Sequence, residues 1–199
     1  GWSEVTTRQE HIEVRWGRDV IEEVTVTDRG PIITPLDDEH PWRLSLAATW
    51  LGDTPLRGFF DLPFATTTDE VRAAFDGWIG PPVNLCYAAV DGTIGWTFAA
   101  SVPARKRWRL LPQPGGDRAE GWDERVTGAE LPWCEDPDEG YLATANNQPV
   151  TPGRPDLGDD WVDGYRVGRI GDRLASRSDW TLDGLQQVGQ DGVRRRGGD

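Results

Sequence analysis

The chain has 199 residues and carries 34 Asp and Glu against 21 Lys and Arg, a formal net charge of -13, which repels a phosphate backbone and excludes nucleic acid as a partner except at a local basic patch. The two basic runs, Arg105-Lys106-Arg107 with Arg109 and Arg194-Arg195-Arg196, read as a solvated loop and tail. No apolar run reaches the length of a membrane span, the opening "GWSEVTTRQE" has neither the basic nor the apolar stretch of an export signal, so any such signal is expected outside these residues, and the two cysteines, Cys86 and Cys134, lack the CxxC spacing of a zinc or redox motif.

A chain of this length can bury a core of its own, and the absence of a repeat or linker predicts one α+β unit over residues 1–199. There are 11 Trp and no Met, not even at position 1, which predicts that the chain begins away from a translation start. In chain order, "HIEVRW" from His11 and "VIEEVTV" from Val20 are partly alternating runs joined across Trp16 to Asp19, which is hairpin chemistry. "RGPIITP" and "WRLSLAATWL" continue the strand pattern, the second placing Leu44, Leu46, Ala48 and Trp50 on one face. A cap at Thr68 opens a helix with Val71, Phe75 and Trp78 on one stripe and Asp69 and Glu70 at its positive end.

"VNLCYAAVDGTIGWTFAASVP" is the strongest local signal, two strands joined by a two-residue turn at Asp91-Gly92. Pro103 to about Asp138, rich in Pro, Gly and charge, reads as a long surface excursion. "WVDGYRVGRIGDRLAS" and "WTLDGLQQVGQD" then read as helices, the second capped at Thr181.

Common catalytic constellations are missing. His11 and His40 fall in a strand-like run and an acidic loop without metal spacing, and the chain contains no GxSxG elbow, Walker loop or GxGxxG. The acidic pairs Asp37-Asp38, Asp136-Asp138 and Asp159-Asp160 lie in loops as solvated carboxylates, and the tryptophans at core-facing spacing read as packing residues. The cysteines stay open between two buried thiols and, in an exported protein, a disulfide.

The stretch "YLATANNQP", Tyr141 to Pro149, puts paired amides at a strand end ahead of a proline. One reading is a turn, since asparagine tolerates left-handed backbone. The other is a rigidly held amide N–H aimed at an oxyanion.

Taken in order, "RGPII", "WRLSLAATW", "NLCYAAVDGTIGWTFAASVPAR", "LPWCEDPDEGYLATANNQP", "DDWVDGYRVGRIGDRL" and "LDGLQQVGQD" resemble the β-subunit of the penicillin acylase family of N-terminal-nucleophile hydrolases over essentially the whole chain. The resemblance implies part of a four-layer αββα fold and hydrolysis of a linear N-acyl amide through an acyl-serine. Substrates in the family range from β-lactam side chains to N-acyl homoserine lactones and lipopeptide acyl groups. Matched to the family, Asn146 is the side-chain oxyanion donor, with Asn147 its structural neighbour, and Arg166 in "GYRVGRI" organises the site. Otherwise, Arg166 is a helix-surface residue able to pair with Asp160 or Asp163. Asp156 lies near where some members hold a structural calcium, the one cofactor the resemblance offers. Loop lengths differ there, and Pro112 matches a carbonyl ligand only loosely.

The family nucleophile has no counterpart. Gly1 has no side chain, and Ser3 and Thr6 are not terminal, so the serine, the backbone oxyanion donor and much of the acyl pocket are expected upstream. The expected partners are an α-subunit and the remainder of a β-subunit, or copies of this chain associating through open sheet edges. The readings are then a piece of an amidase inactive by itself, a catalytically inactive relative, or a β-rich binding module. Family members are usually periplasmic or secreted, which permits a Cys86–Cys134 disulfide.

Overall fold

A computed structural model describes residues 4–35, 39, 42–104, 111–115, 124–149, 157–158 and 160–191. The β-branched residues near the start form an antiparallel hairpin of β1 (Thr6–Ile12) and β2 (Val20–Thr27), with Ile12 opposite Val20. The first strand begins earlier than "HIEVRW" suggests. Val14 accepts a hydrogen bond from the Gly17 amide at 3.1 Å and Trp16 takes a φ of 67°, so the end of that motif belongs to the loop. A two-residue β3 (Gly30–Pro31) completes this sheet beside β2.

The strand expected over Trp42 to Leu51 does not form. It is reduced to one bridge, Ser45 opposite Ile32, flanked by bonds from the Ile33 amide to the Leu44 carbonyl and from the Leu46 amide to the Pro31 carbonyl, both 2.9 Å. The segment then winds into a 3-10 turn at Thr49–Leu51. Its partner strand carries Pro31 and Pro35, which have no N–H to donate, so the ladder cannot extend.

Two short helices follow, α1 (Arg57–Asp61) and α2 (Thr68–Ala73). The cap of α2 is Thr67, one residue before the position expected, in a capping box with Glu70. Beyond the helix, Phe75 and Trp78 are buried and meet Phe59 edge-on at 5.1 and 5.5 Å. Gly58 is required here, because a Cβ would stand 2.4 Å from the Ala74 carbonyl oxygen.

The second sheet, in the order β4 (Val83–Ala88), β5 (Ile94–Ala99), β8 (Trp133–Glu135), positions the site. Its register separates two faces. Val83, Leu85 and Ala99 pack with Phe75 and Trp78, whereas Trp96 and Phe98 form a second cluster with Ala100 and Leu131 that also takes in Leu142, Leu157 and Trp161. Asn84 pairs directly with Phe98 and so shares that second face. The hairpin turn has three residues where two were expected: Ala89 and Thr93 close it, and Gly92 takes a φ of 101°.

The region read as a surface excursion also contributes structure. β6 (Val102–Pro103) pairs with β7 (Arg125–Val126), β8 adds to the central sheet, and Leu131 and Pro132 are buried. The side chains of Arg72, Tyr87 and Glu135 bond one another across this sheet, with the Arg72 guanidinium 4.5 Å over the Trp133 ring. Both thiols are free, Cys86 exposed and Cys134 half-buried. They face Trp96 from opposite sides of the central strand, two strand spacings or about 10 Å apart. That exceeds the reach of a disulfide, about 7 Å between Cα atoms, so neither the disulfide nor a pair of buried thiols is found.

The helices at the end are α3 (Tyr165–Ala175) and α4 (Leu182–Gly189). Residues 161–163, expected in the first helix, precede it, and Thr181 caps the second by accepting from the Gly184 amide at 3.2 Å. Asp191 bonds Arg169 at 2.8 Å, tying the end of α4 back to α3. No described helix is long and apolar enough to cross a membrane.

Candidate active site

Asn146 stands in the loop that leaves β8, with a φ of 61°. Left-handed backbone is tolerated by asparagine more readily than by most residues. Its neighbours hold it there. Ala145 is buried, its amide donates to the Asn147 Oδ1 at 3.1 Å, and the Asn147 Nδ2 donates to the Gln148 carbonyl at 3.2 Å. Asn147 is therefore consumed by the turn, and Asn146 is the amide that projects.

Arg166, on the first turn of α3, donates from Nη1 to the Asn146 Oδ1 at 3.3 Å. The two residues that the family resemblance singles out, 20 positions apart in sequence, are thus brought together. Arg166 bonds neither Asp160 nor Asp163, and Asp163 instead accepts from the Tyr165 amide at 3.2 Å. A guanidinium can only donate, so the amide atom facing it is the carbonyl oxygen, and the Asn146 Nδ2 is left as a donor with no partner among the described residues. Both side chains are exposed, so their bond directs the amide more than it stabilises the fold.

Asn146 lines a cleft of about 430 Å³ whose apolar wall includes Trp50, Phe98, Val102, Leu157 and Trp161. Phe98 and Trp161 stand edge to face at 6.2 Å, and the Trp161 indole is pinned to the Gly158 carbonyl at 2.9 Å. Asn84 and Ser101 are also in the wall, and sequence reasoning passed over both. The signal available for Asn84 was a polar residue on the same face of the hairpin as Phe98.

Of the other sequence candidates among the described residues, Asp160 lines the cleft whereas His11 and Thr6 do not. His11 lies exposed on β1, 3.3 Å from Asp19, and Thr6 begins the same strand. Asp156, His40, Gly1 and Ser3 fall outside the described residues, as do Asp37, Asp38, Asp159 and both basic runs. Among the described residues no cluster of three His, Cys, Asp or Glu could hold a metal. The tryptophans divide: Trp78 and Trp96 are core, while Trp16, Trp42 and Trp50 are exposed.

The fold is similar to that of a thermostable penicillin G acylase from Alcaligenes faecalis, with a TM-score of 0.67 and 21% identity over 94% of this chain and 34% of that one. The architecture is that of an N-terminal-nucleophile hydrolase, α+β as expected. Residues 1–197 match the family described as penicillin amidase, and the chain belongs to that family of amide hydrolases. Curated relatives include the penicillin acylase 2 proenzyme of Pseudomonas sp. (strain SE83), 32% identical over 94% of this chain and 24% of its own length. Another is the acyl-homoserine lactone acylase QuiP of Pseudomonas aeruginosa, 31% identical over 85% of this chain and 22% of its own. The chain thus spans under a quarter of the length of either relative, 24% and 22%.

Proposed function

We propose that these residues form one unit of a larger N-acyl amide hydrolase and supply its side-chain oxyanion donor. The observation that carries this is the bond from Arg166 to the Asn146 Oδ1, which leaves the Asn146 Nδ2 directed as a donor at the margin of an apolar cleft. The nucleophile, a serine with a free α-amine, comes from polypeptide outside the 199 residues. Its hydroxyl attacks the amide carbonyl while the α-amine takes the hydroxyl proton, through a water. Negative charge then develops on the carbonyl oxygen, where Asn146 and a backbone N–H donate to it. Collapse breaks the C–N bond, the proton passes to the departing amine, and a water molecule hydrolyses the acyl-serine by the same steps in reverse order.

Arg166 holds the Asn146 amide in the orientation that meets the oxyanion, so it positions the donor without touching substrate. The test is hydrolysis of a fatty-acyl anilide by the full-length acylase containing this chain. Asn146→Ala is expected to lower kcat by about 10²–10³-fold, the usual loss on removing one such donor. Wild-type kcat in that variant would overturn the assignment.

A further inference from the structure

The central sheet has a second face, turned away from the oxyanion cleft. Thr97 pairs with Leu85 on one side and Trp133 on the other, and alternation puts it with Ala99 on the face that packs against Phe75 and Trp78. A cavity of about 280 Å³ opens there, walled by α2 and the turn after it, by β5, by Trp133 and by the 3-10 turn Gly128–Glu130. At about 30 Å³ per water molecule it has room for roughly nine, or for a ligand of about ten heavy atoms.

Two polar groups in its lining are not used by the fold. Thr97 is buried, 8% exposed, and its hydroxyl has no hydrogen-bond partner among the described residues, an uncommon state that calls for a ligand or water. Asp76, at the exposed end, has no side-chain hydrogen bond or ion pair among the described residues. Its carboxylate lies against the 3-10 turn, where a Cβ on Gly128 would stand 3.0 Å from Oδ1. Arg72, by contrast, is committed: its guanidinium donates to Tyr87, Glu135 and Asp69 and covers the Trp133 ring. The charge left over in the lining is therefore negative, and an anion would meet the carboxylates of Asp69 and Asp76.

We propose that this pocket binds a small aromatic ammonium ion carrying a second, neutral oxygen. The ammonium, which can only donate, pairs with Asp76 at the wet end, where a charge keeps its hydration. The neutral oxygen goes to the buried end, where the Thr97 hydroxyl can donate to it or accept from it. The stem between them lies along Phe75, Leu131 and Trp133. The site is on the opposite side of the sheet from Asn146 and does not rest on the amidase reading.

The experiment is calorimetric titration of the full-length acylase containing this chain with three probes: tyramine, 2-phenylethylammonium, which lacks the oxygen, and 3-(4-hydroxyphenyl)propionate, which reverses the charge. Tyramine should bind saturably with a Kd of about 1 mM or tighter. The phenylethyl ion should bind about fivefold more weakly, the effect of one neutral hydrogen bond, and the propionate should give no saturable heat. Asp76→Asn should weaken tyramine by at least about tenfold, as loss of a charge-assisted bond does. Thr97→Val should weaken it about fivefold and abolish the difference between the two amines. Thermal unfolding of both variants separates loss of binding from loss of fold, and Asp76, being exposed, gives the variant that keeps its core. Tyramine that fails to bind, or that binds Asp76→Asn as tightly as the parent, would overturn the site. So would a propionate that binds as well as tyramine. Equal affinity for the two amines in the parent would overturn the part assigned to Thr97.

Discussion

If Arg166 acts only through Asn146, replacing it must have no effect once Asn146 is gone. The two side chains are exposed and their bond is long at 3.3 Å, so its contribution is at the low end for a charge-assisted bond, about 1 kcal/mol. Arg166→Met should therefore lower kcat about fivefold, since about 1.4 kcal/mol corresponds to tenfold. Because the bond is solvent-exposed, the denaturant midpoint should not move. In the Asn146→Ala background the same substitution should change kcat by less than about twofold, so that the coupling energy equals the whole effect of the single Arg166 change. The assay is steady-state hydrolysis of one acyl anilide by the four full-length proteins at fixed ionic strength. A double variant that loses a further fivefold would show that the guanidinium acts on substrate or nucleophile directly, and positioning of the amide would be refuted.

Three further outcomes are expected. Asn146→Gly, which keeps left-handed backbone available, should retain the stability of the parent while losing kcat as Asn146→Ala does; a glycine variant with parental activity would show that only the turn matters. The Glu135 carboxyl is held below its usual range by the Thr68 hydroxyl first, then by Tyr87 and Arg72. Its contribution to stability is full above the ordinary Glu value of about 4.3 and is lost as pH falls through the depressed folded value. Urea midpoints measured from pH 6 down to about pH 3 should accordingly fall more steeply for the parent than for Glu135→Gln, and Arg72→Met should destabilise by about 2 kcal/mol, the half-buried carboxylate being left unpaired. Both thiols should alkylate without reductant, adding two adducts in an intact-mass measurement. They should do so slowly near neutral pH, because burial pushes each up and, at Cys134, the nearby charges of Glu139, Glu135 and Asp136 add to it.

The parts of the fold that local sequence determines were readable from it. The hairpin of β4 and β5 follows from period-two alternation and a glycine at the left-handed turn position, and Thr181 caps α4 as its residue type predicts. What misled was pattern without partner. Leu44, Leu46, Ala48 and Trp50 alternate as a strand should, yet Leu46 and Trp50 remain exposed, since Pro31 and Pro35 withhold the donors that a ladder needs. The reverse holds at Trp133–Glu135, too short and too charged to announce a strand. Its place is set by Thr97 and Trp96, which pair with it from far along the chain, and by Arg72 reaching across to Glu135.

For the site, the turn and the proposed oxyanion donor are compatible readings of Asn146. A side-chain donor must be fixed against the backbone to act without reorganisation, and a left-handed residue held by a buried Ala145 and a self-satisfied Asn147 is a rigid mount. The backbone therefore supplies the placement, and Arg166 supplies the orientation of the amide. The second half of that arrangement could not be read from the paired asparagines, because the arginine lies on a different element. Nor could Asn84 be read from its own neighbourhood. Its amide acquires direction only when Trp96 folds beside it, so a polar position that looks like an interruption of a strand pattern becomes an oriented donor through cross-strand register alone.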